Sequence, residues 1–107
     1  MIDQHTIDLA VQRLVQTAHS PLKVILIGSY ASGNAGEDSD LDLLVVEENI
    51  PCMAEEYDRL RAAIGAIGLG VDVLLYPRSE FERRTNWQTS PVYDAVRFGK
   101  TLYERNT

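Results

Sequence analysis

Cysteine is nearly absent: Cys52 is the only one in the chain, so no internal disulfide can form. That fits a reducing cytoplasm, the expected location. Basic residues are also in short supply. The chain has 10 Lys and Arg against 16 Asp and Glu, a formal net charge of −6. Phosphate contacts supply most nucleic-acid affinity, so a chain this acidic is not expected to bind nucleic acid through a broad surface. A single nucleotide bridged by a cation is still compatible with it. No apolar run approaches the roughly 20 residues needed to cross a membrane. The opening residues Met1-Ile2-Asp3-Gln4-His5 lack a basic region followed by an apolar run, so no signal peptide is expected. Neither Gly-x-Gly-x-x-Gly, nor a P-loop, nor Gly-x-Ser-x-Gly occurs. No internal repeat or low-complexity segment is visible.

What is present reads as one globular domain, 1–107, with 45% hydrophobic and 24% charged residues. Ile7, Val11, Leu14, Val15 and Ala18 recur at helical spacing, so 3–18 is expected to be an amphipathic helix capped by Asp3 and stopped by Ser20-Pro21. Lys23 to Ile27 and Leu41 to Val46 read as buried strands, separated by a loop rich in Gly, Ser and Asn that has room for one helical turn. Glu47 to Pro51 reads as an exit loop. Met53 to Ile67 has helical periodicity, weakened and then ended by Gly65, Gly68 and Gly70. Val71 to Tyr76 is the third strand. Ser79 with Glu82 resembles a capping box, and Ser90-Pro91 begins another helix running to Phe98. Lys100 to Arg105 either adds a short final strand or frays.

The first two strands are joined without a long helix, which favours an antiparallel pair. The second and third are joined through a helix, which favours a parallel pair with a right-handed crossover. The expected class is therefore α/β (α+β), a small mixed sheet flanked by helices.

The chemistry is concentrated in Gly28-Ser29-Tyr30-Ala31-Ser32-Gly33 and Ser39-Asp40-Leu41-Asp42. Strand side chains alternate faces, so Asp40 and Asp42 point the same way while Leu41 and Leu43 enter the core. Adjacent carboxylates repel unless a cation separates them. Mg²⁺ typically takes one or two carboxylates plus substrate phosphates. Antiparallel pairing sets Gly28-Ser29 beside Asp40 and Asp42, where glycine admits close approach of a phosphate and Ser29 offers hydroxyl and amide donors. A parallel third strand brings Asp72 alongside, and such an array can hold one or two metal ions for in-line displacement at phosphorus. Blander readings exist: a solvated strand start for Asp-x-Asp, an ordinary turn for Gly-Ser, a capping role for Asp72. Asp38, Asp40 and Asp42 also mimic the first ligands of a calcium loop, but Leu43 and Asn49 stand where that loop needs glycine and glutamate.

Elsewhere His5 and His19 lack partners at metal-ligand spacing and read as surface residues. Cys52 reads as buried or half-buried. Trp87, Tyr93 and Phe98 read as core or interface, which leaves a homo-oligomer open. Arg78, Arg83 and Arg84 read as a solvated helix face.

The Gly-Ser turn and the double aspartate, with Val71-Asp72-Val73 and the ending Phe98-Gly99-Lys100-Thr101-Leu102-Tyr103-Glu104, resemble the polymerase-beta-like nucleotidyltransferase superfamily. Within it the chain resembles the minimal nucleotidyltransferases, or MNT proteins. The resemblance covers nearly the whole chain. It implies Asp40, Asp42 and Asp72 as Mg²⁺ ligands, with Asp72 also a candidate general base. It implies Gly28 and Ser29 as holders of the phosphates of ATP. It further implies an antitoxin that transfers AMP to a tyrosine of a small helical HEPN ribonuclease toxin. A non-catalytic antitoxin acting by binding, and a free-standing transferase acting on a small molecule or RNA end, are the alternatives. One departure stands out. The family usually carries arginine or lysine where this chain has Ser32, leaving Lys23, Arg78 or a partner's basic residue to supply that charge.

Overall fold

In the computed structural model, which describes residues 2–68 and 70–106, the first helix α1 spans Gln4–Thr17. Asp3 caps it by accepting from the Thr6 amide at 2.8 Å. Its buried side, Ile7, Ala10 and Leu14, is the stripe its periodicity requires. Strand β1 (Pro21–Ile27) leads into a single turn of helix, α2 (Ser29–Ser32), and strand β2 is Leu41–Glu47. Helix α3 (Met53–Ile64) passes into a 3₁₀ turn at Gly65–Gly68 and then strand β3 (Val71–Pro77). Two short helices, α4 (Arg78–Arg83) and α5 (Pro91–Phe98), precede strand β4 (Lys100–Glu104).

The four strands form one sheet in the order β3-β2-β1-β4. β1 is antiparallel to both neighbours, and β2 and β3 are parallel. This is the mixed α/β architecture expected, and the final segment forms a strand rather than fraying. Alternation along the strands gives each face its own core. Val24, Leu26, Leu41, Leu43 and Val45 face α1 and α3. Ile25, Ile27, Leu44 and Val46 face the other way, against Phe81 of α4 and Val92 and Ala95 of α5.

Several local expectations change. The capping box does not form: Pro77 occupies the N-cap of α4, and its side chain caps nothing. Proline already has the extended backbone the position needs, and Glu82 instead lies 3.6 Å from Arg78. Glu47 is not in an exit loop but ends β2, wholly buried. Cys52 is exposed, because it sits at the N-cap of α3 with its side chain outside both cores. Trp87 and Phe98 are 42% and 69% exposed, so neither is core. Among the described residues no helix is long and apolar enough to cross a membrane.

Candidate functional site

The site lies where β1 ends and β2 and β3 begin. The antiparallel register pairs Ile27 with Asp42, and the parallel register pairs Asp42 with Asp72. Partners in register share a face. Asp42 and Asp72 therefore stand side by side on the face that carries α4 and α5. Asp40 precedes β2 and lies beside Gly70, whose carbonyl accepts the Leu41 amide at 2.7 Å. The hairpin-like turn before it is closed by the Ser39 hydroxyl, which accepts the Gly36 amide at 2.8 Å.

Gly28 fixes the approach of β1 to this cluster. Its φ of 75° belongs to the left-handed half of backbone space, which glycine enters freely. A Cβ there would fall 2.6 Å from Oδ2 of Asp42. The turn thus lies directly against the carboxylate and has no room for any side chain. From Gly28 the backbone enters α2: its carbonyl accepts the Ala31 and Ser32 amides at 3.1 and 3.2 Å. The Ser29 and Tyr30 amides have no acceptor among the described residues. The Tyr30 hydroxyl accepts the Ile2 amide at 2.9 Å, tying the start of α1 to this turn.

The electrostatics follow from the crowding. Asp42 is pushed above the usual carboxylate range, first by burial and then by the negative charges of Asp72 and Asp40. Among the described residues no basic group offsets that push. The three carboxylates do not close into a ready-made ligand cluster; among the described residues no group of three or more His, Cys, Asp and Glu is so arranged. Asp42 and Asp72 lie within hydrogen-bonding reach of each other, and a hard divalent cation is the partner that oxygen donors of this charge fit.

The sequence-derived residues thus come together in part. Gly28, Ser29, Asp42 and Asp72 share one end of the sheet, and Asp40 borders it. The two cations considered as replacements at Ser32 do not belong to it. Lys23 lies near the far end of β1 and pairs with Glu104 at 3.4 Å. Arg78 follows the far end of β3 and pairs with Glu48 at 3.2 Å. The register sets Lys23 beside Val46 and Arg78 just past the Glu47–Pro77 pair, at the opposite end of the strands from Asp42. Ser32 is exposed and turns back on its own helix, its hydroxyl donating to the Ser29 carbonyl at 3.1 Å. His19 is exposed, as expected, but pairs with buried Glu56 at 2.7 Å.

Comparison with known proteins adds an independent line. The family model described as "Nucleotidyltransferase domain" matches residues 7–98. A protein of Methanocaldococcus jannaschii, provisionally named a protein adenylyltransferase, is 36% identical over 55 residues, 51% of this chain and 54% of its own length. The chain therefore matches only about half of that relative. Among solved structures, a provisionally assigned nucleotidyltransferase of Sulfolobus solfataricus superposes with a TM-score of 0.64 at 19% identity, covering 94% of this chain and 79% of that one. A toxin–antitoxin complex with AMP-PNP gives 0.61 at 20% identity over 98% and 76%. A tri-AMPylated HEPN toxin of Shewanella oneidensis in complex with MNT antitoxin gives 0.56 at 20% identity over 97% and 74%. At these identities the structural likenesses establish the shared fold.

Proposed function

Because the chain belongs to the nucleotidyltransferase domain family, we propose that it is a Mg²⁺-dependent protein adenylyltransferase of the MNT antitoxin type, moving AMP from ATP to a tyrosine hydroxyl of a HEPN toxin. The observation that carries the reading is the contact of Gly28 with Asp42, with Asp72 in register beside it. Phosphate donors and paired carboxylates are there built into a single surface.

The residues divide the work. The Ser29 and Tyr30 amides and the Ser29 hydroxyl are donors for phosphate oxygens. The missing side chain at Gly28 lets those oxygens come close to the carboxylates. Asp40, Asp42 and Asp72 are the oxygen donors for Mg²⁺, one ion or two, which when bound would neutralise phosphate charge and polarise the phosphorus. Asp72 is exposed, so an incoming hydroxyl reaches its carboxylate, and it is the group placed to accept that proton. The transfer itself forms a bond between the acceptor oxygen and the α-phosphorus and breaks the bond to the β-phosphate oxygen. Pyrophosphate is the leaving group. A hydroxyl delivered by a second protein fits this reading, and an acidic chain suits a basic RNA-cutting partner.

The test combines the purified chain, α-labelled ATP, Mg²⁺ and a HEPN-family toxin, taken from the neighbouring gene where that gene encodes one. Label should appear on a tyrosine of the second protein. Absence of transfer overturns the enzymatic reading, and transfer surviving Asp40→Asn with Asp42→Asn overturns the assignment of the site.

A second reading, an antitoxin that neutralises by binding alone, is favoured by Ser32 and by the placement of Lys23 and Arg78 away from the site. Neutralisation undiminished in the same double variant would select it.

A further inference from the structure

A triphosphate at Gly28-Ser29 meets the Asp42 carboxylate on one side, and the turn itself carries no basic side chain. Most basic side chains are committed elsewhere. Arg59 pairs with Glu56, Arg83 and Arg84 with Glu80, and Arg105 with Glu48. Arg61 donates to the Val71 carbonyl at 2.5 Å. Arg97 donates to the Thr85 carbonyl at 2.7 Å and lies 3.8 Å from the centre of the Tyr93 ring.

Arg13, on α1, and Lys100 stand outside these pairs, and of the two it is Lys100 that lies on a strand next to β1. Lys100 is exposed and is not among the ion-paired cations of the described residues. It opens β4, and its register partner is Leu26, two residues before Gly28. Two residues along a strand and one strand across amount to about 8 Å, a gap that a four-carbon lysine stem and a phosphate oxygen close between them.

The position is also held firmly. A Cβ on Gly99 would fall 2.6 Å from the Ala95 carbonyl, 2.6 Å from Cγ2 of Ile25 and 3.0 Å from the Leu26 carbonyl. The end of α5 and the start of β4 are therefore pressed onto β1 just before the turn. Lys100 shares a face with Leu26, the face on which Tyr30 and Ala31 of α2 pack. Asp42 shares the opposite face with Ile27. A phosphate on the turn would thus have the carboxylates and their cation on one side and an ammonium on the other. This arrangement also explains how the lysine stays out of an ion pair with the aspartates.

We propose that Lys100 is a phosphate-binding residue of the nucleotide site, supplying from β4 the positive charge that Ser32 does not. The inference rests on the nucleotide site proposed above. It is tested by calorimetric titration of Mg²⁺·AMP-PNP into the wild-type chain, Lys100→Gln and Lys100→Arg, with adenosine as a probe lacking phosphates. Lys100→Gln should bind AMP-PNP about 10-fold or more weakly, the effect of losing one charge-assisted hydrogen bond. Its affinity for adenosine and its melting temperature should not change. Lys100→Arg should retain most of the AMP-PNP affinity. Equal AMP-PNP affinity in Lys100→Gln and wild type overturns the role of Lys100 while leaving the site intact. A wild-type chain that binds no Mg²⁺·AMP-PNP overturns the site itself, and this inference with it.

Discussion

Strand β2 carries an acid near each end, and the two ends treat it in opposite ways. Asp42 lies half-buried at the start, and Glu47 is wholly buried at the finish. Both are pushed above the usual carboxylate range, first by burial and then by other carboxyl groups close by. Their odd spacing puts them on opposite faces of the sheet. At the Glu47 end the protein closes the problem internally. Glu47 Oε1 accepts the Ser20 amide at 3.1 Å, while Oε2 has no partner when the group is counted as a carboxylate. A proton on it supplies the missing interaction, a hydrogen bond to Glu56, and Glu47 accordingly rises to about 7. Against its own burial, Glu56 is pulled down to about 2 by that bond, by the His19 amide and by Arg59. Below about pH 7 the pair shares one proton, and Arg59 balances the remaining charge. At the Asp42 end the neighbouring acid, Asp72, is also within hydrogen-bonding reach but is exposed to solvent, so the pair is not sealed into a core. The crowding of acids there faces outward, without a cation among the described residues, beside the bare backbone of Gly28. One end spends its carboxyl groups on holding the fold together, and the other leaves them free for a ligand.

Removing the open end's charge tests the contrast most severely. Asp42→Asn should reduce AMP transfer by at least about 100-fold, comparable to losing a main electrostatic element of an active site. It should also raise the melting temperature, since it relieves a repulsion that folding imposes. An unchanged rate would remove Asp42 from the chemistry. Gly28→Ala should come next. Its Cβ would meet Asp42 Oδ2 and hold a positive φ that alanine resists, costing on the order of 1–3 kcal/mol. Thermal denaturation should show this as a lower melting temperature together with weak nucleotide binding. A well-folded variant with full binding would mean that the turn does not need to touch the carboxylate.

The smallest effect belongs to the closed end. A buried acid with a raised pKa holds its proton after the unfolded chain has lost one. Stability attributable to Glu47 is therefore full below pH 4.5 and lost as pH rises toward about 7. Glu47→Gln keeps a donor toward Glu56 but cannot titrate. It should flatten that decline and melt higher than wild type at pH 8, by roughly 5 °C for a domain of this size. Equal pH profiles in the two proteins would show that the Glu47–Glu56 pair shares no proton.

How much of this was legible beforehand depended on how local the cause was. Asp3, Ser90 and Pro91 mark helix starts by chemistry within one turn, and both helices begin as read. The β-branched runs of β1 and β3 announce themselves, and connection lengths fix their relative directions. Gly28, Asp42 and Asp72 could be placed together because strand pairing alone aligns them. Glu47 could not be read correctly: a glutamate followed by Glu48 and Asn49 looks like the edge of a loop, and the group that lets it be buried arrives on α3. Cys52 misled in the reverse direction, its usual preference for the interior overridden by a cap position. Lys100 was invisible as a site residue because its relevance depends on which edge of β1 the last strand joins.

That last pairing has a consequence in time. β1 is an inner strand whose two neighbours come from very different distances along the chain, β2 after one short loop and β4 only after most of the domain. Loop-closure entropy makes the distant pairing the slower one. The Gly28–Asp42 contact can assemble early, whereas the edge bearing Lys100 arrives late. A nucleotide that grips both sides would then recognise a finished molecule over a partly folded one, and its binding would report that folding is complete.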